Sequence, residues 1–319
     1  MQRLDGKVVL ITGASSGVGF AAAEAFAKAG ADVAVLARSR EGLELAAERV
    51  RAQGSRALVL PVDLSDTDEL IKAVDRVEAE LGALDILVPN AATTMFGRFE
   101  DVTKEQFDRV VHVTFLGVVD VVRAALPALK RSQGVIAATG SLNAKAPLPT
   151  WTSYCASKFA ERGFLHTLRL EQEAEGTGVR IGIVHPGAID TPVWDNTPTA
   201  TGVLPRRPPE GYKPEVVARA LVAMAANPRP EAVIGAEAVA LDLLWSRVRP
   251  VGDVVWRTVY HYNLSGKRPG SDRDALWHAA GKGITSSSGM IGRPSLWAPI
   301  RMAALPAQLG FKGLKVLRG

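Results

Sequence analysis

Residues 12–19 of this 319-residue chain read T-G-A-S-S-G-V-G, directly after the apolar run at 8–12 and directly before a helix-like apolar stretch at 19–29. That order of strand, glycine turn and helix gives the glycines a physical task. Gly13, Gly17 and Gly19 allow the backbone to turn tightly and approach a pyrophosphate, whose charge would face the free N–H groups and positive end of the following helix. Ser15, Ser16 and Val18 fill the turn between them and join the candidate contacts. An ordinary glycine-rich turn would carry similar letters, and the strand–turn–helix placement is what favours a dinucleotide.

Outward from this turn, short β-branched runs alternate with helical periodicity over the first 190 residues. The candidate strands are 8–12, 32–37, 57–61, 86–89, 134–138 and 180–184; the candidate helices are 19–29, 40–53, 66–81, 104–129 and 154–175. Strands regularly separated by helices predict an α/β fold with a doubly wound parallel sheet. Ligands then sit beyond the carboxyl ends of the strands. After Asp195 the texture changes. A Pro/Gly-rich stretch at 196–214 reads as a loop covering a site, 214–226 as a short helix, 233–235 as a last strand and 236–247 as a helix. Beyond Pro250 the pattern weakens; 281–288 is Gly/Ser-rich and only 296–309 regains a helical rhythm.

The end of the second strand bears on the choice of dinucleotide. An acidic residue there would hold a ribose 2′-hydroxyl and mark NAD. This chain has Ala37 followed by Arg38, Ser39 and Arg40, so no carboxylate repels a 2′-phosphate and Arg38 offers a planar fork that suits one. The expectation is NADP(H), with Arg38 and Ser39 at the phosphate. Arg38 and Arg40 also fit a plain solvated helix start.

Y-C-A-S-K, Tyr154 to Lys158, opens the long helix at 154–175 and sets phenol and ammonium on one face, four residues apart. An unperturbed phenol titrates near ~10, too high for efficient proton exchange at neutral pH. The lysine charge, and an oxidised nicotinamide, should lower that value. Ser141, just past the strand at 134–138, is placed to hydrogen-bond the same substrate oxygen. On its own it would read as a loop-capping serine.

Together these residues resemble the short-chain dehydrogenase/reductase family. The glycine pattern, P-N-A-A at 89–92, Ser141, Y-x-x-x-K and H-P-G-A-I-D-T at 185–191 occur in the family's order and spacing over about residues 5–240. The resemblance implies a Rossmann-type sheet of about seven strands, nucleotide-dependent interconversion of a carbonyl and an alcohol, and a homodimer or homotetramer. It implies Tyr154 as general acid/base, Lys158 on the nicotinamide ribose and Ser141 orienting substrate. It further implies Asp63 and Leu64 at the adenine, Asn90 and Ala91 beside the cofactor, and Pro186, Gly187, Ile189 and Thr191 on the nicotinamide side. The family's V-N-x-x-G reads V-T-F-L-G here, so Thr114 stands where an asparagine usually holds a relay water. A hydroxyl offers fewer hydrogen-bonding sites than an amide.

Composition bounds the remaining possibilities. With 47% hydrophobic and 22% charged residues the chain fills a core, which excludes a disordered or collagen-like protein. No uninterrupted apolar run approaches the ~18 residues of a spanning helix, and the start is expected to lack a signal-like segment. One cysteine forms no internal disulfide, so the expected location is cytoplasmic. Cys155 itself reads as packing. The five histidines show no metal-ligand spacing, and no metal is expected.

Charge is uneven. Residues 1–205 carry 21 Lys and Arg against 25 Asp and Glu, whereas 206–319 carry 17 against 8. No nucleic-acid-binding motif accompanies the basic third. Residues 1–245 are therefore expected to form the dinucleotide-binding catalytic domain and 246–319 a helical or irregular extension. That extension, with tryptophans among basic groups, suits packing on the domain, a subunit interface or, through 295–319, a peripheral membrane contact. The expected function is reduction of a carbonyl, or the reverse, on a small, fairly apolar substrate flanked by Leu148, Trp151, Val193 and Trp194. The alternative is an NADPH-binding regulator without turnover. An epimerase or dehydratase of the extended relatives fits less well, because those carry G-x-x-G-x-x-G.

Overall fold

The computed structural model describes residues 3–208, 211–247, 249–264 and 276–277. Seven strands, β1 (Val8–Thr12), β2 (Asp32–Ala37), β3 (Ala57–Pro61), β4 (Leu84–Val88), β5 (Val135–Thr139), β6 (Arg180–Pro186) and β7 (Glu231–Ile234), form one sheet in the order β3-β2-β1-β4-β5-β6-β7. Every pairing is parallel. The chain starts in the middle, winds outward through β2 and β3, then returns to build the other half from β4, which is the Rossmann-type double winding. The reversal between β1 and β4 is the switch point where such sheets open a crevice.

The strands are apolar on both faces because helices cover both. All five residues of β1 and of β5 are buried. On one face, α1 (Gly17–Lys28), α2 (Arg40–Arg51) and α8 (Pro214–Ala226) close a core around Phe26, Leu43, Val50 and Leu221. On the other, α3 (Thr67–Glu80), α5 (Gly117–Ser132) and α6 (Thr152–Ala174) close a second around Leu70, Val77, Val121, Leu129 and Leu165. Helix starts carry local signals. Ser39 caps α2 by accepting from the Gly42 N–H, Asp66 caps α3 from the Glu69 N–H, and Thr103 with Gln106 makes a capping box for α4 (Lys104–Val111).

Most boundaries shift from the sequence reading by a few residues, and three departures are larger or of another kind. The helix expected over 104–129 is α4, then a π-helical segment at His112–Leu116, then α5. Such a widened turn is invisible to apolar periodicity because the residues on both sides keep their spacing. The fourth strand begins at Leu84 rather than at 86. Beyond the short helix α7 (Val193–Asn196), α9 (Ala236–Arg247) is followed by a helix not foreseen, α10 (Arg249–Asn263). Trp256 of α10 packs with Leu142, Ala146 and Ala238, so this part of the extension shares a core with the loop behind β5. The stretches 281–288 and 296–309, and 295–319, for which a membrane contact was one expectation, lie outside the described residues.

Candidate active site

Beyond the carboxyl ends of β1, β4, β5 and β6 lies a cavity of about 500 Å³. One end of it is the turn after β1. Gly13 has φ +68°, and a Cβ on it would lie 2.7 Å from the Ala91 Cα. At Gly19 a Cβ would fall 2.3 Å from the Gly13 carbonyl oxygen and 2.6 Å from Asn90 Nδ2, so only glycine lets α1 start this close to the turn. Asn90 fastens β4 to β1. Its Nδ2 donates to the Thr12 carbonyl at 3.0 Å, while the N–H groups of Asn90 and Ala91 both donate to Thr12 Oγ1.

Ser15, Ser16, Gly17, Val18, Leu64 and Ala91 line this end, and Gly19 supports it from behind. Arg38 and Ser39 line it too, but with commitments the sequence did not reveal. Arg38 Nη1 donates to the Trp277 carbonyl at 2.9 Å, and the Ser39 hydroxyl is the cap of α2. Asp63 Oδ2 takes Arg109 Nη2 at 3.0 Å, and its Oδ1 accepts from the Ser65 N–H and hydroxyl. Although partial burial works against it, those donors hold the Asp63 carboxyl below its usual range. The Trp277 ring lies on the Arg109 guanidinium, 5.5 Å from ring centroid to Cζ.

Ser141, Tyr154 and Lys158 line another part of the same cavity, and Pro186, Gly187, Ile189 and Thr191 also line it, Thr191 lying against the Gly17 turn. The Ser141 hydroxyl accepts from the Asn143 N–H at 3.1 Å and stands close enough to the Tyr154 phenol to lower its pKa. Lys158 Nζ is buried and donates to the Thr139 carbonyl at 2.9 Å and to Glu161 Oε2 at 2.6 Å. One expectation is corrected here. Burial pushes the Tyr154 phenol above its ordinary value; the Lys158 charge and the Ser141 bond pull it down, as the sequence suggested, without overcoming that.

Thr114 is fully buried in the π-helical segment. Its hydroxyl donates to the Thr93 carbonyl at 2.8 Å and accepts from the Thr93 N–H at 3.0 Å, so it ties this segment to the loop after β4. The backbone thus takes its donor and one of its two acceptor sites, leaving one acceptor site for a relay water. Cys155 is buried packing: its Sγ accepts from the Leu148 N–H, and burial pushes the thiol up to about 11.

Leu148, Trp151, Val193 and Trp194 line the substrate end, with Trp151 edge-on to both Tyr154 and Trp194. Sequence reasoning missed the far wall, where α9 and α10 contribute Leu241, Trp256, Val259, Tyr262 and Asn263. The extension's aromatic content was the only signal for it. Also missed is a cluster behind Ser141. The buried His185 ring bonds the Ser141 carbonyl through Nδ1 at 2.9 Å, and its Nε2 lies 3.4 Å from Glu231 on β7. Glu231 also pairs with Lys145, Arg162 and His166.

The cradle suits a dinucleotide. Its glycines leave room that any Cβ would fill, and the buried Thr94 and Thr139 hydroxyls lining the cavity have no partner among the described residues.

Comparison with known proteins agrees with this geometry. Residues 7–201 match the family model of the short chain dehydrogenases. The uncharacterized oxidoreductase YxnA of Bacillus subtilis is 30% identical over 287 residues, covering 88% of this chain and 80% of that protein. An Arabidopsis thaliana 11-beta-hydroxysteroid dehydrogenase-like protein is 40% identical over 187 residues, covering 58% of this chain and 60% of its own length. Among solved structures, an alcohol dehydrogenase from Thermococcus sibiricus, complexed with 5-hydroxy-NADP, superposes with a TM-score of 0.63 at 30% identity, over 72% of this chain and 95% of its own. A short chain dehydrogenase from Mycobacterium paratuberculosis, bound to NAD, gives 0.64 at 26% identity, over 73% and 97%. With the glycine cradle, the Ser141–Tyr154–Lys158 cluster and these matches in agreement, the chain belongs to the short-chain dehydrogenase family of oxidoreductases.

Proposed function

We propose that this oxidoreductase uses NADP(H) to interconvert a carbonyl and an alcohol on a fairly apolar small molecule. The observation that carries the reading is the meeting of Ser141, Tyr154 and Lys158 at one end of a single cavity whose other end is the glycine cradle. Gly13, Gly17 and the α1 N-terminus would hold the pyrophosphate, Asp63 and Leu64 the adenine, and Arg38 with Ser39 the 2′-phosphate. Asn90, Lys158 and the 186–191 loop would hold the nicotinamide half. When bound, the nicotinamide supplies hydride for reduction or takes it in oxidation.

The chain's own residues do the rest. Tyr154 gives its proton to the carbonyl oxygen, and Ser141 hydrogen-bonds that oxygen as charge gathers on it. Lys158 has three donors; two go to Thr139 and Glu161, leaving one for a ribose hydroxyl. The preference for NADP(H) is supported by Ala37 in place of a carboxylate at the end of β2 and by Arg38 at the cavity wall. The two solved relatives are divided, one carrying an NADP derivative and one NAD. An apolar substrate is supported by Trp151, Trp194, Trp256 and Leu148 around the reacting end. Exposed apolar side chains on the π-helical segment and α6 support assembly into a homo-oligomer.

A ketone and aldehyde panel with NADPH against NADH tests the reading. NADPH should be preferred, and Tyr154→Phe should cut reduction by about a thousandfold while NADPH still binds. Turnover retained in Tyr154→Phe, or a clear NADH preference, would overturn the mechanism or the cofactor assignment respectively. A regulator would bind NADPH and show no turnover even unmodified.

A further inference from the structure

The face that α10 turns to the cavity carries Trp256, Val259 and Asn263, spaced as i, i+3 and i+7 along one side of the helix. An asparagine thus continues a stripe that is otherwise apolar. Both ends of this face are fixed to the substrate end of the cavity. Trp256 packs against Leu142, the neighbour of Ser141, and Leu264, the neighbour of Asn263, joins the cluster of Phe96 and Trp151 that Tyr154 and Trp194 also join. Asn263 is 7% exposed, and its side-chain amide makes no hydrogen bond among the described residues, so it does not cap the helix it closes. Water satisfies such an amide only until a substrate displaces it. A wholly apolar substrate then leaves donor and acceptor unmet, at a cost that an apolar contact does not return. A site of this kind favours the ligand that brings a matching oxygen and rejects the analogue without it.

We propose that Asn263 is a specificity-determining residue: besides the reacting carbonyl the substrate carries a second, neutral oxygen, a hydroxyl on an otherwise apolar body, and the Asn263 amide takes it. The proposal rests on the reading of this cavity as the carbonyl-reducing site. There the reacting oxygen is already served by Ser141 and Tyr154, which leaves the amide for another oxygen. A hydroxyl can meet either half of an amide, donating to its oxygen or accepting from its nitrogen, whereas a carboxylate meets only the nitrogen. Arg206, which also lines the cavity, is exposed and lies over the Tyr262 ring, 4.6 Å from Cζ to centroid. Asn263 is out of water, where a charge is costly, so a neutral group fits it better than an anion.

Straight-chain aldehydes of increasing length, each paired with the same chain ending in a hydroxyl or in a carboxylate, test this in the full-length protein with NADPH. At the length that carries the hydroxyl to Asn263, kcat/KM for the hydroxylated aldehyde should exceed that for the plain one by about tenfold or more. Asn263→Leu should reverse the preference. A second readout needs no turnover: long-chain alcohols and the matching α,ω-diols, titrated against tryptophan emission with NADPH present, should show the same preference and the same reversal. An unmodified protein that favours the hydroxyl at no length overturns the proposal, whether or not the variant folds. So does a preference that survives Asn263→Leu, an equal loss on both members of a pair, or a stronger response to the carboxylate. A fall in NADPH affinity in Asn263→Leu with the substrate preference unmoved would give the amide to the nucleotide and overturn it too. A protein that prefers diols but reduces no aldehyde would refute the carbonyl-reducing reading and keep the amide's role, whereas an active protein indifferent to the hydroxyl would refute the role of Asn263 alone.

Discussion

Arg38 stands at the carboxyl end of β2, where the relevant choice is between a carboxylate that takes a ribose hydroxyl and a cation that takes a phosphate. Its bond to the Trp277 carbonyl keeps the guanidinium at the cavity wall. A charge-assisted bond to phosphate is worth about 1.5–3 kcal/mol, so Arg38→Ala should raise the KM for NADPH by about tenfold or more. The KM for NADH should barely move; an equal loss with both coenzymes would show that Arg38 shapes the pocket without reading the phosphate. Single residues differ in how much of their role the sequence exposes. Tyr154, Lys158 and Ser141 were readable because each follows a strand or opens a helix at a fixed spacing. Glu161 was not, since a glutamate three residues after a lysine normally marks a solvated pair, and only the packing of α6 shows that this one is dry. Thr114 was readable as a position but not as a state, because the Thr93 backbone takes its donor and one acceptor site.

At the scale of elements, β-branched runs alternating with helical patterns announced the parallel sheet, and the first three strands were placed to the residue. The π-helical segment kept the apolar rhythm of its flanks and so stayed hidden. α10 was missed because the apolar pattern weakens beyond Pro250, although a proline in the first turn of a helix is tolerated. β7 was legible as a short strand but not as the carrier of Glu231. That residue brings together α6, the loop behind β5 and β6, through Arg162 and His166, Lys145, and His185 in turn. Burial alone would raise the Glu231 carboxyl, but His185, Arg162, His166 and Lys145 hold it far below the usual range. A depressed carboxyl contributes stability above its unfolded value, near ~4.3, and loses it as the pH falls from there toward the folded value. Glu231→Gln should therefore cost about 3 kcal/mol near pH 7, read as a lower urea midpoint. The gap to the unmodified protein should narrow by about 1.4 kcal/mol per pH unit below about pH 4. A gap that is constant with pH would mean that Glu231 matters by shape and not by charge.

For the whole molecule, the stretch Lys104–Ser132 is long and apolar enough, by composition alone, to cross a bilayer. The fold gives much of that apolarity another use, since Val118, Val121, Val122, Ala125 and Leu129 form one wall of the core. What remains faces outward beside α6: Leu116 is 39% exposed, and on α6 Phe159 is 41% and Leu170 55% exposed. Phe115 and Phe164 join the two elements edge to face, with centroids 6.4 Å apart, so these side chains ride on one stiff surface. Isolated exposed apolar residues need no explanation, but several on adjoining helices suit a second copy of the same surface across a two-fold axis. Light scattering should then give a mass of at least two 33.9 kDa chains. Phe159→Glu would set like charges opposite each other across that axis, where they repel without touching either core. It should yield the single-chain mass with the Tyr154-dependent activity still measurable. A single-chain mass in the unmodified protein, or an assembly indifferent to Phe159→Glu, would place the interface elsewhere or remove it, and these side chains would then be ordinary exposed surface.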